Sequence, residues 1–275
     1  MSGFSVSSAE RCLTILELLS EEANGLTLSE IAARLGLSVS AAHRLLGVLR
    51  TKRYVRQDRL NERYLATPLI AVIGLRVLAA TGLSDVCQPI LDDLAERTGE
   101  LVRLSIVQEG HLVWIAKAQG SRSNIRYDPL DVRNLPIYAT AAGKVWLATL
   151  EPGPAIAAVR AQGFPQAGVG PHAATSIEAL MTQLEAVRAC DFALVRDELE
   201  PEISAVAVAI RIVKPPDELI VGCLSVGGPS FRLDKARLTG FVPALRQAAA
   251  ELAEVWPLRV LDGATPPQRA TIAAQ

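Results

Sequence analysis

The chain has 275 residues, of which 50% are hydrophobic and 4% are aromatic, and its formal net charge at pH 7 is −1. A chain of this length can bury a sizeable core, and we expect two domains. No uncharged apolar run reaches the roughly 18 residues of a membrane span, and the N-terminus lacks the basic and apolar segments of a secretory signal, so we predict a cytoplasmic protein that does not contact membranes.

Two short helices are predicted near the N-terminus. Each is opened by a capping box, in which a Ser or Thr and a later Glu bond each other's backbone. Ser7 and Glu10 have this spacing, and their helix extends to about Glu21. Thr27 and Glu30 open the second helix. The predicted inward residues of the first helix are Cys12, Leu16 and Leu19. Those of the second are Ile31, Ala32 and Leu35.

A third helix is predicted after a turn at Gly36, a residue type that suits a left-handed helix end, and Ser38 is predicted to cap it. Its spacing predicts a buried stripe formed by Ala42, Leu45, Leu46 and Leu49. The opposite face has neither Glu nor Lys, and it is formed by Ser40, Ala41, His43, Arg44, Gly47 and Arg50. Short side chains with a few hydrogen-bond donors are typical of a helix that enters the major groove of DNA.

Segments 54–57 and 63–66 flank a polar turn and predict a small β-hairpin, which completes a winged helix-turn-helix. Residues 34–63 contain eight basic and two acidic residues. Such a block attracts nucleic acid, although from charge alone a solvated surface is an equal alternative. Together with the helix pattern, the block favours DNA binding over a packing module with a basic exterior. The predicted DNA-contacting residues are Thr27, Ser38, Ser40, Ala41, His43, Arg44, Arg50, Lys52, Arg53, Arg56, Arg59 and Arg63.

The next predicted element is a helix over residues 68–82 that is apolar nearly all round. A lone helix of this kind is expected to pack against a partner helix or a second subunit. Ser84 and Asp85 are predicted to cap the helix that follows, which ends near Thr98 with Gly99 as its stop signal.

A second domain is predicted from strand and helix patterns. Strands are expected at 101–108, 112–119, around 124–128, 192–197, 203–213 and 219–228. Helices are expected at about 140–150, 154–162, 176–190 and 233–255, and the third is opened by a capping box of Thr175 and Glu178. Strands that flank a helical middle, with hairpin-like connections, indicate an α+β domain in which helices cover an antiparallel sheet.

Signals for catalysis or metal binding are weak. The four cysteines and three histidines are scattered, and no CxxC, HExxH, P-loop or GxSxG pattern occurs. We therefore predict no metal, no cofactor and no enzymatic activity, and we expect the cysteines to be buried free thiols. Two alternatives stay open: an enzyme that uses an acidic cluster, and a redox sensor that uses Cys190 or Cys223. The cluster is more simply a solvated loop rim formed by Asp197, Glu198, Glu200 and Glu202.

Several segments resemble the IclR-type family of bacterial transcription regulators. SAERCLTILELLS, LTLSEIAARLGLSVSAAHRLLGVLRTKRYV and RYLATPL resemble the family's N-terminal domain. LPIYATAAGKVWLA, RDELEPEISAVAVAI and VGCLSVGGPSFRL resemble motifs of its C-terminal domain, in the same order. The resemblance covers roughly residues 5–257.

The resemblance implies four parts: a winged helix-turn-helix over 5–67, a linker and dimerisation helix over 68–83, a GAF-like effector domain over 84–257 and a flexible tail over 258–275. It also implies a homodimer or a dimer of dimers that binds a near-palindromic double-stranded DNA operator. The implied effector is a small organic acid, and the family includes repressors and activators.

The resemblance further implies where the effector binds. The positions that match the family's ligand-facing residues are Leu135, Ala141, Ala142, Val195, Ala205, Ser225 and Gly227. The small residues 139–143 open a helix whose backbone N–H groups can receive a carboxylate. The alternative is that small residues only allow tight packing of this helix on the sheet.

The chain departs from the family pattern at four positions. Some members carry an acidic residue where this chain has Val195 and a thiol where it has Ala205. The most studied pattern has a hydroxyl at the position of Gly227, and the family usually has Gly at the position of Glu202. These departures predict a less polar and roomier pocket, suited to an aromatic or longer acid. The candidate partners for its carboxylate are Arg103, Arg126 and Arg133, although each of these arginines is more simply interpreted as exposed or ion-paired.

Overall fold

The structure of the chain is a computed structural model, which describes residues 7–108, 110–129, 135–214 and 217–256. The chain divides into two compact units, Met1–Ala80 and Thr81–Gln275. Two features of the sequence analysis, Arg133 and the tail over 258–275, lie outside the described residues.

The first unit contains three helices, a two-stranded hairpin and most of a fourth helix. Both predicted capping boxes are formed, since Ser7 and Thr27 each accept the N–H of the later Glu, whose carboxylate accepts the cap's own N–H. Gly36 has a φ of +60°, and Ser38 accepts the N–H of Ala41, so the turn into the third helix forms as predicted. The elements are α1 Ser8–Glu21, α2 Leu28–Arg34, α3 Val39–Thr51, β1 Val55–Gln57, β2 Tyr64–Ala66 and α4 Leu69–Thr81.

The residues of α1 that were predicted to face inward, Cys12, Leu16 and Leu19, all pack on the core of the first unit. Ile15 and Leu19 are the buried residues there, whereas Cys12 and Leu16 are only half-buried. Ile15 is a further buried residue that the prediction did not include, and α1 packs against both α3 and the hairpin strand β2. On α3 the predicted stripe is confirmed, with Leu45 half-buried beside three buried residues, Ala42, Leu46 and Leu49.

Helix α4 carries its apolar side chains on the surface. Leu75 is 65% exposed and Val77 is 60% exposed, and Ile70, Val72 and Ile73 are exposed as well. Within the described ranges, neither α4 nor any other helix combines the length and apolarity that crossing a membrane requires. Contiguous apolar surface of this extent is unusual on a folded monomeric protein.

The second unit is an antiparallel sheet covered by helices, which confirms the predicted α+β class. Its strands are β3 Leu101–Gln108, β4 His111–Gln119, β5 Ala193–Arg196, β6 Ile203–Lys214 and β7 Asp217–Pro229. Its helices are α5 Leu83–Thr98, α6 Ala141–Thr149, α7 Pro152–Ala161, α8 Ile177–Cys190 and α9 Lys235–Val255. The strand order in the sheet is β4-β3-β7-β6-β5.

The two faces of this sheet belong to different hydrophobic cores, because successive residues of a strand point to opposite sides. Val226 on β7 packs into a core that includes Leu245 of α9. Cys223 on the same strand faces the other side and packs with Leu147 of α6 and Leu184 of α8. The second face carries the candidate ligand cavity described below.

Two predicted helix caps in this unit are wrong. Helix α5 begins at Leu83, so Ser84 and Asp85 lie inside its first turn rather than before it. Helix α8 is capped by Ser176, not by Thr175. Neighbouring hydroxyl residues give the same capping signal in a sequence, and only the backbone conformation decides which one bonds.

The strand predicted around 124–128 does not form. The hydroxyl of Ser121 accepts the N–H of Ser123 at 3.3 Å, and the hydroxyl of Ser123 accepts the N–H of Ile125 at 3.1 Å. Local bonds of this kind compete with strand pairing for the backbone N–H groups. The segment is therefore an ordered loop that brings Tyr127 towards the sheet.

Candidate DNA-binding face and ligand cavity

The face of α3 opposite the buried stripe is exposed. Ser40, His43 and Arg44 are all exposed, and Ala41 between them is half-buried. Because Ser38 caps the helix, the backbone is fixed from its first turn, where recognition helices usually touch bases. The exposed residues are short or carry hydrogen-bond donors, which suits close approach to base edges.

Several basic side chains of this unit are free to bind a polyanion. They form no hydrogen bond or ion pair with another described residue, and all are exposed. Such cations bind phosphate without giving up an internal contact. They are Arg44, Lys52, Arg53, Arg56 and Arg59.

Other residues of the predicted DNA-binding set are held by internal contacts. Arg63 donates to the carbonyl of Gly25 at 2.7 Å and to the carboxylate of Glu30 at 3.3 Å. Thr27 caps α2 and donates its hydroxyl to the same carboxylate. These hydrogen bonds from Thr27 lower the pKa of Glu30. Arg50 donates to the side chain of Gln57 at 3.2 Å, but it is exposed and outside any core.

The seven residues predicted to face an effector all line one cavity in the second unit, with a volume of about 50 Å³. Sequence reasoning named these positions only through the family resemblance. Outside these seven positions, the lining includes Arg103, a candidate carboxylate partner in the sequence analysis, and Ala139 and Thr140 of the predicted helix opening. The lining residues that the sequence analysis did not name are Leu101, Trp114, Tyr127, Leu199 and Ile203.

The floor of the cavity is a row of residues across four strands. Gly227 is paired with Leu101 on one side and with Ala205 on the other, and Ala205 is paired with Val195. Opposed residues of paired strands share a face of the sheet. Small residues on β6 and β7 therefore leave space above the sheet, and a Cβ at Gly227 would lie 3.3 Å from the Cβ of Ala205.

The roof of the cavity is the N-terminal turn of α6. Thr140 caps this helix by accepting the N–H of Gly143 at 3.0 Å. The N–H groups of Ala141 and Ala142 make no hydrogen bond within the described residues, so the positive end of the helix faces the cavity with two free donors. Gly143 is required here, because a Cβ would lie 2.0 Å from the carbonyl oxygen of Ile137.

The acidic cluster differs from its prediction as a solvated rim. Glu198 is 7% exposed and forms an ion pair with Lys144, which is 2% exposed. Burial lowers the pKa of Lys144 and raises the pKa of Glu198. The attraction between the two charged groups opposes both shifts, because each group stabilises the charged form of the other. The sequence signal for this pair was a lone lysine inside an apolar helix, which requires an anionic partner. Glu202 has a φ of +63°, the conformation for which the family's glycine is suited.

The cysteines are not all buried as predicted, since Cys190 is exposed and Cys12 is half-buried. Burial raises the pKa of Cys87 to about 11 and that of Cys223 to about 12, so both thiols are protonated near neutral pH. Among the described residues, no group of His, Cys, Asp or Glu has an arrangement that could hold a metal ion.

A capped helix with an exposed cationic face, followed by a hairpin, defines the class of winged-helix DNA-binding transcription regulators. Two family models match the chain: the IclR helix-turn-helix domain over residues 8–59 and the bacterial transcriptional regulator IclR C-terminal domain over residues 75–254. The chain belongs to the IclR family of transcription regulators.

Known relatives agree with this assignment. The chain is 32% identical to the HTH-type transcriptional regulator XynR of Escherichia coli K12, over 90% of this chain and 96% of that protein. It is 26% identical to the p-hydroxybenzoate hydroxylase transcriptional activator of Acinetobacter baylyi, over 87% of this chain and 88% of that protein. These relatives are regulators, so the chain is a transcription regulator and not an enzyme.

Solved structures share the fold. An IclR transcriptional regulator from Silicibacter sp. TM1040 has a TM-score of 0.76 at 27% identity. The match covers 96% of this chain and 100% of the Silicibacter chain. An IclR homologue from Microbacterium hydrocarbonoxydans, solved in complex with 4-hydroxybenzoate, has a TM-score of 0.70 at 21% identity, over 90% of this chain and 98% of that one.

Proposed function

We propose that this regulator binds a near-palindromic operator as a dimer or a dimer of dimers, and that a small organic acid in the cavity changes its affinity for that operator. The observation that carries the effector proposal is the convergence of all seven family-matched positions on one cavity. A ligand changes operator affinity to the extent that it binds the DNA-competent conformation more or less tightly than the other conformations.

The DNA half of the proposal is supported by the exposed face of α3 and the five unpaired basic side chains around it. A dimer is supported by α4, whose apolar side chains are exposed in the single chain. A two-fold axis places two recognition helices on one duplex, which is the geometry that a near-palindromic operator requires.

The size of the cavity bears on the effector. A cavity that holds benzene has a volume of about 150 Å³, and the cavity here has about 50 Å³. In this conformation Trp114 and Tyr127 form part of its wall. A compact aliphatic acid fits best, and an aromatic acid requires that one of these rings move.

Replacing Arg44 tests the DNA-binding face. We expect Arg44→Ala to weaken operator binding by about 10-fold or more, since a lost contact to a base or phosphate costs about 1–3 kcal/mol. Gel-shift titrations on the DNA upstream of the protein's own gene measure this. Arg160→Ala, which removes an exposed arginine from α7, is the matched control and should bind as the wild type does. Unchanged binding by the Arg44 variant would contradict the face.

Replacing Ala142 tests the cavity. Ala142→Leu places a larger side chain in the roof, and we expect the response of DNA binding to acids to be lost while operator affinity without acid is kept. Ala148→Leu lies on the same helix, equally buried but outside the cavity lining, and is the control for overpacking, which costs about 1–3 kcal/mol at either site. An intact response in the Ala142 variant would remove the cavity from the proposal.

A further inference from the structure

A buried arginine with two hydrogen-bond donors unsatisfied by any described residue lines the cavity. Arg103, near the middle of β3, is 8% exposed. Its Nε and Nη2 atoms are buried and make no hydrogen bond within the described part of the chain. Buried polar groups in folded proteins nearly always have partners. Two unsatisfied hydrogen-bond donors on one guanidinium therefore require an explanation.

The charged groups around Arg103 do not supply the missing partner. Tyr127 lies with its ring 5.7 Å from the guanidinium carbon, which is a cation–π contact, and donates its hydroxyl to Glu200 at 3.1 Å. Asp128 forms an ion pair with Lys117, the residue paired with Arg103 on β4. Among the residues that the structure describes, each carboxylate near Arg103 is therefore bound to another group.

The unfilled donors share one edge of the guanidinium. Nε and Nη2 form a planar fork that matches the two oxygens of a carboxylate. Burial lowers the pKa of Arg103, yet an arginine stays protonated in proteins, so the site keeps a positive charge in an apolar wall. A buried cation of this kind is costly unless an anion pairs with it.

Other features of the cavity favour a single anion, held beside Arg103. Ser225 is paired with Arg103 on β7 and lines the same cavity, so its hydroxyl lies on the same face of the sheet. The remaining lining is mostly apolar, including Leu101, Val195 and Leu199. The described lining contains no second cationic side chain, so a second carboxylate would meet only the partial positive charge at the N-terminus of α6.

We propose that Arg103 binds the carboxylate of the effector through the fork formed by Nε and Nη2, and that the effector is a monocarboxylate with a compact apolar body. The inference rests on the proposed function, because it assigns a ligand class to the same cavity. The carboxylate supplies hydrogen-bond acceptors and a negative charge to the buried guanidinium. Binding of the acid to the folded protein therefore also stabilises the second unit. Electrically neutral analogues lack the charge that Arg103 requires and bind poorly.

Binding of matched acids and amides to the full-length protein tests the inference. The probes are acetate, isobutyrate, benzoate and 4-hydroxybenzoate, each compared with its amide by thermal shift and calorimetry. We expect at least one acid to bind the wild type and its amide to bind at least 10-fold more weakly. In Arg103→Met we expect the affinity for that acid to fall about 100-fold, since two charge-assisted hydrogen bonds are lost.

Two further variants keep the result interpretable. Arg103→Lys retains the charge without the fork, and we expect a loss of about 10-fold. Arg126→Met removes an exposed arginine outside the cavity lining and should bind as the wild type does. Circular dichroism establishes that each variant is folded.

The outcomes separate this inference from the proposed function. Equal binding of the acid to the wild type and both Arg103 variants overturns the role of Arg103 and leaves the cavity as the effector site. Tighter binding of an amide than of its acid overturns the carboxylate class alone. If neither acids nor amides bind the wild type, both proposals fail.

Discussion

Arg56 and Arg63 carry the same charge in the same hairpin, but their surroundings differ. Arg56 is exposed and makes no hydrogen bond or ion pair with another described residue. Arg63 lies against α2, where it donates to Gly25 and Glu30. Both were predicted to contact DNA, because sequence alone shows the charge of a side chain and not its partner. In the structure, the contacts of Arg63 stabilise the first unit, whereas the side chain of Arg56 is available to bind a DNA phosphate.

This difference predicts that replacing Arg56 changes DNA binding, whereas replacing Arg63 changes stability. Arg56→Ala should reduce the slope of log affinity against log salt by about 0.9, the value for one phosphate contact, without changing stability. Arg63→Ala should destabilise the first unit by about 1–2 kcal/mol, because a charge-assisted bond to a backbone carbonyl is lost. Gel shifts at several salt concentrations measure the first effect, and hydrogen exchange of peptides from α2 measures the second. Equal salt slopes in both variants would contradict the distinction.

Helix α6 determines the shape of the cavity at the scale of a secondary-structure element. The first turn of α6 has small side chains because it lies against the 3₁₀ turn Ile137–Ala139, with Gly143 at the point of contact. The same helix carries Lys144, which pairs with Glu198 after β5. The position of α6 over the sheet is thus held by a backbone contact on one side and by a buried ion pair on the other.

The backbone contact at Gly143 is testable with a matched pair of helical glycines. Gly143→Ala should destabilise the second unit by about 1–3 kcal/mol or more, since the added methyl group must displace the backbone of Ile137. Gly240→Ala in α9 has open space around it and should stabilise the unit by about 1 kcal/mol, the difference in helix propensity. All three tryptophans, Trp114, Trp146 and Trp256, lie in the second unit, so their fluorescence during urea unfolding reports on it. A neutral Gly143→Ala would mean that α6 can move away from the turn without cost.

The whole molecule is proposed to act as an assembly, and α4 is the element that supports this. Apolar surface on an exposed helix raises the free energy of the single chain. Burying that surface against a partner lowers the free energy by about 25 cal/mol for each Å² of apolar surface. Two copies of α4 from two chains would cover each other. Such pairing would also bring two recognition helices to one duplex.

Polar substitutions on α4 test the assembly. The double variant Leu75→Gln with Val77→Gln should have a smaller molar mass by light scattering than the wild type, and a lower operator affinity, with its secondary structure kept. Leu60→Gln removes an apolar side chain that is 96% exposed in the hairpin turn and should leave the molar mass unchanged. A wild-type molar mass in the α4 double variant would show that the chains meet elsewhere.

The sequence by itself determined the elements whose signals are local. The capping boxes at Ser7 and Thr27, the left-handed turn at Gly36 and the stripe on α3 depend on residues within one or two turns of each other, so spacing alone predicted them. The family motifs, carried over position by position, also placed seven residues that the structure brings to one cavity. Where two local signals competed, as at Thr175 and Ser176, the sequence could not choose between them.

Only the tertiary structure decided which side chains have partners. Glu198 is 54 residues from Lys144 in the chain, and Arg63 is 33 residues from Glu30, so no local pattern joins either pair. Within the described residues, two donors of Arg103 lack a hydrogen-bond partner, because Asp128 pairs with Lys117 and Glu200 accepts the hydroxyl of Tyr127. The cost of a buried charge depends on everything packed around it, and that environment is assembled from segments that are distant in sequence.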